Sequence, residues 1–411
     1  MILKCDKYFI SCCTVYQNLS VMQSLSAQHL QRSYRIQSID LLRGLVMVIM
    51  ALDHVRDAFH YDLHVGHEPL DFTTTWPVLF LTRWITHFCA PVFVFLSGTS
   101  IFLYTQRRTS KKEVAFFLFT RGLWLMAAEI FIIGPLWDFD FGSFIMLQVI
   151  WAIGLSMVFL SVLQFLPYKI LLVIGLAIVF GHNLLDTVTV EQPLAESFSW
   201  SIVHVSHFYK VTPGLSVFVL YPFLPWLGLM TTGYCLGKLY TNNTDASYRK
   251  KFLFITGIVM ILLFIVVRMI NVYGDMHHWQ KQSTSAFTFL DFINTTKYPS
   301  SLLYILMTIG PALIFLSYAE NITNWLSKKL IVFGKVPFFY YILHVFVIHI
   351  SAILLFSVSD KIWNDPVLTK GYPLWMVYIV WLSIVIILYF PCRWYSKYKA
   401  NHSQNKWLSY L

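Results

Sequence analysis

The sequence predicts an all-α polytopic membrane protein of about ten transmembrane helices, with both termini cytoplasmic. Three observations carry this. The 411 residues are 57% hydrophobic, with a mean hydropathy of +0.63. Only 12% are charged, about half the share usual in soluble proteins. Long apolar runs recur along the whole chain, as one multi-spanning domain requires. A soluble protein of this composition would have almost no polar surface.

The first 35 residues are mixed and weakly apolar, and no small-residue cleavage site marks them as a signal peptide. Apolar segments then fall at about 39–59, 85–105, 114–134, 144–165, 168–184, 213–237, 251–273, 300–319, 331–356 and 372–392. The fifth is short. The sixth holds Pro222 and Pro225 and is expected to kink. No internal repeat stands out.

Charge sets the orientation. With the N-terminus inside, 20 of the 30 basic residues fall on the inner side, among them Arg107, Arg108, Lys111, Lys112, Lys328 and Lys329. The outer segments hold only Arg83, Lys210, Lys281, Lys297, Lys361 and Lys370. This is the positive-inside bias, and an even helix count agrees with it. The formal charge of +10 therefore needs no nucleic acid partner. The outer segments hold eight of the 14 histidines, His60, His64, His67, His182, His204, His207, His277 and His278. No carboxylate or cysteine completes a metal spacing around them, so no metal site is expected. The six cysteines form no disulfide framework.

The first apolar segment departs from its neighbours. It carries Asp40, Arg43, Asp53, His54 and Asp57 in a stretch that must otherwise sit in lipid, where ionisable groups are costly and face protein or water. Arg43 and His54 are eleven residues apart, close to three helical turns. They share a face, roughly 16 Å apart at about 1.5 Å per residue. Asp57 is three residues beyond His54 on the same stripe, and Asp53 is adjacent but points elsewhere.

Two motifs extend this, RIQSIDLLRGLVMVIMALDHVRDAFH at 35–60 and THFCAPVFVFLSGTSIFLY at 86–104. With YPFLPWLGLMTTGYCLGKL (221–239), KYPSSLLYILMTIGP (297–311) and GKVPFFYYILHVFVIH (334–349), they resemble bacterial membrane proteins grouped with heparan-alpha-glucosaminide N-acetyltransferase. The resemblance covers roughly 35–392. More distantly, the Arg43-to-His54 spacing followed by FVFLSG (93–98) resembles the acyltransferase 3 family of membrane O-acyltransferases. One departure matters. The first family's loop histidine would fall near Trp76 or Pro77, where this chain has none.

The resemblance implies a membrane acyltransferase domain over 36–393, between a cytoplasmic segment (1–35) and a cytoplasmic tail (394–411). It implies transfer of an acyl group, acetyl above all, from cytoplasmic acyl-CoA to a hydroxyl or amine of an extracytoplasmic saccharide or envelope acceptor. The setting would be a bacterial inner membrane, with lipids as partners and a homodimer left open. His54 is the expected base, or acyl carrier, because imidazole titrates near neutral pH. Asp57, or Asp53, would orient it. Arg43, at the cytoplasmic end, would meet CoA phosphate, or else anchor to headgroups. Ser97 and Gly98 give either a close helix crossing or room for the pantetheine arm. Arg107 and Arg108 suit CoA phosphates or plain topology. His87, His60, Tyr341 and His344 are the expected acceptor-side residues, each balanced against an ordinary packing role. Trp76, Trp200 and Trp279 suit sugar stacking or interfacial anchoring. The competing reading is a permease whose buried polar groups line a solute path. The missing inverted repeat counts weakly against it.

Overall fold

The computed structural model describes residues 36–61, 66–138, 142–187, 197–362, 371–402, 404, 405 and 408. His64, Asp140, Glu191, Glu196 and the N-terminal segment 1–35 lie outside the described residues. The chain divides at Gln37 into two compact units, and the second, Ser38–Leu411, carries the helices and the sheet.

The first helix, α1 (Gln37–Phe59), spans the predicted segment and carries five charged residues, Asp40, Arg43, Asp53, Arg56 and Asp57. After a loop come α2 (Pro77–Thr86) and α3 (Cys89–Thr105), nearly continuous. Ser110 caps α4 (Lys111–Ala128) by accepting from the Glu113 N–H, the Ser-x-x-Glu arrangement of a capping box. A π-helical turn, Glu129–Ile133, comes next, and then the short α5 (Gly134–Asp138). Strand β1 (Phe144–Leu147) leads into α6 (Val149–Leu163), and from there the chain enters α7 (Tyr168–Gly181). The short α8 (Phe198–Val203) precedes a hairpin of β2 (His207–Thr212) and β3 (Leu215–Val219), turned at Pro213–Gly214. The sheet order is β1-β3-β2, with β1 parallel and β2 antiparallel to β3.

The rest is helical: α9 (Leu224–Leu236), α10 (Ala246–Ile270), α11 (Ser285–Ile293), α12 (Leu302–Ala319), α13 (Trp325–Lys335), α14 (Pro337–Ile362) and α15 (Leu374–Asn401). Asp245, Thr284, Ser301 and Asn324 cap α10 to α13 through their side chains. Asn271 closes α10 in the left-handed region.

Among the described residues, seven helical spans are long and apolar enough to cross a membrane. The chain is thus an α-helical, multi-spanning integral membrane protein with one small sheet. The count falls below the expected ten for physical reasons. The apolar segments at 144–165 and 213–237 begin in strand, which leaves α6 and α9 with 15 and 13 residues. Pro222 and Pro225 do not kink a long helix; they lie where α9 begins. Helix α1 is long enough but carries too many charges.

Helix α12 runs through the centre, with its Leu302–Gly310 half wholly buried. Helix α10 exposes Phe252, Ile255, Val259, Leu262, Val266 and Met269, a continuous apolar face suited to lipid rather than water. The helices cross closely at glycines. A Cβ on Gly98 of α3 would sit 2.0 Å from the Met230 carbonyl oxygen of α9, and one on Gly233 would sit 2.1 Å from that of Phe95. Gly44 of α1 and Gly334 of α13 form the same kind of contact, with clashes at 1.9 Å against the Leu330 and Asp40 carbonyl oxygens. Gly98 is therefore a packing residue. A Gly98→Val variant is expected to lose about 3 kcal/mol or more, since α3 and α9 must separate. Thermal unfolding in detergent would read this, and an unchanged midpoint would refute the tight crossing.

Candidate functional site

Helix α1 delivers Asp53, His54 and Asp57 to one chamber of about 250 Å³. The start of α3 adds Cys89, Ala90 and Phe93, and α2 adds Arg83 and Thr86. Met146 of β1 and Gln148 supply one wall, Trp137 and Tyr341 another, and Tyr221, Lys297 and Tyr298 a third. The small sheet thus serves the site by holding the segments that open α6 and α9 against it.

The His54 ring lies stacked on that of His344, centroids 4.9 Å apart, with Trp137 edge-on at 4.7 Å. His54 Nδ1 and His344 Nε2 are 2.8 Å apart. His344 Nδ1 lies 3.0 Å from the Tyr340 carbonyl oxygen, which can only accept. Hence Nδ1 of neutral His344 carries its hydrogen, and Nε2 accepts. His54 must then donate from Nδ1, which leaves Nε2 as its basic nitrogen. One carbonyl, through one buried imidazole, fixes the tautomer of the next.

No carboxylate orients His54. Asp53 accepts from Arg83 Nη1 at 2.7 and 2.6 Å, and from Thr86 at 2.9 Å. Arg56 lies 2.9 Å from it and Lys297 4.0 Å. Asp57 pairs with Arg56. Both aspartates line the chamber, yet their charge is used on cations. The orienting partner is His344, in place of the Asp57 or Asp53 expected from the helical stripe.

Other expected residues are scattered. Arg43 donates to Ser100 at 2.7 Å, to Asp40 at 3.2 Å and to the Gly334 carbonyl at 3.3 Å, tying α1 to α3 and α13. It lies outside the linings of the chambers and of the recess at the far end of α3. Ser97 donates back to the Phe93 carbonyl within its own helix. His60 is buried beside Tyr61, away from the chamber. Tyr341 lines the chamber, and His344 stands behind His54.

A second chamber, of about 560 Å³, adjoins the first and shares Asp57, Arg83, Lys297 and Tyr298 with it. His87 lines it, fully buried, edge-on to Tyr304 at 5.5 Å, and among the described residues neither ring nitrogen has a hydrogen-bond partner. Arg56 lines it too, with no partner for Nη1 among the described residues. A third recess, of about 370 Å³, lies at the far ends of α3, α6 and α9, lined by Phe102, Thr105, Arg108, Lys111, Gln164 and Tyr234 among others. Arg108 belongs to it and also pairs with Glu113 at 3.1 Å; Arg107 is not among its lining residues. Phe93 of the first chamber and Phe102 or Thr105 of this recess are separated along α3 by about 14 to 18 Å at 1.5 Å per residue.

Arg83 lies in none of the motifs, and Tyr221, Lys297 and Tyr298 open the 221–239 and 297–311 motifs without being singled out there as site residues. A signal for two of them exists. Arg83 and Lys297 are among the few basic residues on the side that the positive-inside bias leaves poor in charge. Among the described residues, no group of three or more histidine, cysteine or carboxylate side chains is placed to hold a metal.

Residues 35–273, more than half of the chain, match the family model described as heparan-alpha-glucosaminide N-acetyltransferase, catalytic. The match takes in Asp53, His54, Arg83 and Tyr221, and stops short of Lys297 and His344. No curated protein matches the chain.

Proposed function

Since the chain belongs to the heparan-alpha-glucosaminide N-acetyltransferase catalytic family, we propose that it is a membrane-bound acyltransferase. It moves an acyl group, acetyl in the first place, from cytoplasmic acyl-CoA to a hydroxyl or amine of an extracytoplasmic glycan or envelope acceptor. The membrane would be a bacterial inner membrane. The observation that carries this reading is the Tyr340–His344–His54 hydrogen-bond chain, which ends on a basic nitrogen at the wall of a charged chamber.

The chemistry can be built from these parts. His54 Nε2 takes the proton of the attacking hydroxyl or amine and returns it to the departing thiolate. His344 shares the positive charge that His54 acquires, as the third member of a base triad does. The tetrahedral intermediate carries a negative oxygen, and Arg83 and Lys297 in the same chamber suit it. Asp53 holds Arg83 in place by its two short contacts.

Acyl-CoA fits the recess at the other end of α3. Arg108 and Lys111 would meet its phosphates there, and the stretch along α3 to Phe93 suits a long thin arm. Replacing both Arg108 and Lys111 by alanine is expected to raise KM for acetyl-CoA about tenfold while kcat holds, the loss of ~1.4 kcal/mol of uniform binding.

The test uses purified full-length protein in detergent. Acetyl-CoA should raise its melting temperature, and a hydroxyl- or amine-bearing sugar should stimulate thiol release. No stabilisation by any acyl-CoA, together with uptake of a polar solute by proteoliposomes, would replace this reading with a permease.

A further inference from the structure

The second chamber carries a histidine–acid pair, apart from His54. His277 Nε2 lies 2.6 Å from Asp291 Oδ1. The other oxygen, Oδ2, accepts from the Gln280 N–H and from Gln282 Nε2, each at 2.9 Å. Oδ1 is therefore left for the imidazole. Burial works to raise the Asp291 carboxyl, but these hydrogen bonds outweigh it and hold the group below the usual carboxylate range. Nε2 carries the hydrogen that Asp291 accepts, so Nδ1 is the basic nitrogen.

The backbone beneath His277 is clamped as well. Its N–H donates to Asp275 Oδ1 at 2.8 Å, and its carbonyl accepts from Arg268 Nη1 at 2.6 Å. Arg268 also donates to the carbonyls of Asp291, Phe292 and Asn294. Asp275 in turn holds Thr296 and Ser301. A pair with only a packing role would bury both members. Here Asp291 is 1% exposed and the His277 side chain 41%, and His277 lines the chamber.

An amine acceptor gives this arrangement a task. At neutral pH it arrives as an ammonium ion with no lone pair. Its transfer reads RNH₃⁺ plus acyl-S-CoA giving RNH-acyl, CoA-SH and H⁺. A C–N bond forms and the C–S bond breaks. Nitrogen gives up two protons. One passes through His54 to the leaving sulfur. The other must leave before attack, and His54 cannot hold both. A hydroxyl acceptor has one proton to lose and needs one base.

We propose that His277, oriented by Asp291, is a second catalytic base that takes the first proton from an ammonium acceptor in the second chamber and releases it to solvent. This rests on the acyltransferase reading and deepens it. The charges around His277 agree. Its own loop supplies Asp275, the end of α10 supplies Arg268, and α11 supplies Asp291. Across the chamber stand Arg56, Arg83 and Lys297 against Asp57 and Glu68, with His87 and Tyr298 as the other titratable groups. The proton is best left at the rim, where the His277 side chain is 41% exposed and can pass it to solvent.

The experiment compares wild type with His277→Gln, full-length in detergent, from pH 6 to pH 9. The acceptors are glucosamine methyl glycoside and, as the hydroxyl control, methyl glucoside. On the amine, the variant is expected to fall about 10²-fold at the acid end and to recover as the free amine becomes abundant. An identical pH profile in variant and wild type overturns the proposal. So does a loss of equal size at every pH, which marks a structural residue; His277→Asn must agree. If wild type acylates neither sugar but is stabilised by acetyl-CoA, the ammonium assignment falls alone. If it neither binds nor cleaves acetyl-CoA, the acyltransferase reading falls with it.

Discussion

Replacing His54 by glutamine is expected to lower acyl transfer by about 10²- to 10⁴-fold, the usual contribution of a positioned general base. The fold should survive, because glutamine fills similar space and can still donate toward His344. Replacing His344 by leucine leaves His54 its lone pair but removes the group 2.8 Å away that fixes its ring. A misplacement of about 1 Å can cost about 10²-fold, so this second variant should fall between wild type and His54→Gln. The order of the three rates, measured by thiol release, is the check. Full activity in His54→Gln would remove His54 from the chemistry altogether.

The second large effect concerns stability. Asp53 is the anion against which Arg83, Arg56 and Lys297 are arranged. Asp53→Asn takes away the anion that all three cations share. Breaking a buried charge arrangement from one side costs about 3–5 kcal/mol. A fall in melting temperature of about 5–10 °C in detergent is expected. Asp57→Asn is the contrast. Its side chain is 33% exposed and its charge partner is Arg56, so about 1 kcal/mol or less is at stake. Equal melting temperatures for the two variants would show that Asp53 is not the hub. Activity should fall in Asp53→Asn too, because Arg83 loses the contacts that aim it.

How much of this is legible in the sequence depends on the range of the interaction. Charges in an apolar helix are a local signal, and they lead directly to Asp53, His54 and Asp57. Their partners are not local. His344 is 290 residues from His54, and Lys297 is 244 from Asp53. A helical stripe knows only its own neighbours, so it suggests Asp57 for a task that the packed bundle gives to His344. Arg43 shows the same limit, since its bonds to Ser100 and Gly334 come from two other helices. The segments at 144–165 and 213–237 look like helix throughout because strands such as Leu215–Val219 are apolar runs too, and hydropathy cannot separate a short buried strand from a helix end. The polar outer histidines do stand out as a group. Which of them matters depends on Asp291 and Arg268, which two different helices bring to the loop that carries His277.

The π turn at Glu129–Ile133 bears on how such a chamber can arise. Its hydrogen bonds reach one residue further than those of an α turn, so it accommodates an extra residue. The segment beyond it is swung round by about 100° relative to an uninterrupted α-helix, given 3.6 residues per turn. Trp137 lies in that segment, and it meets His54 edge-on. Glu129 accepts from the Trp151 N–H at the start of α6, so the π turn itself is stitched to the next helix. A single-codon insertion is enough to rotate the segment that follows by this angle, and a single-codon deletion would rotate Trp137 away from the imidazole. This wall of the chamber is thus a matter of reading phase along one helix, open to change by a step that alters no existing side chain.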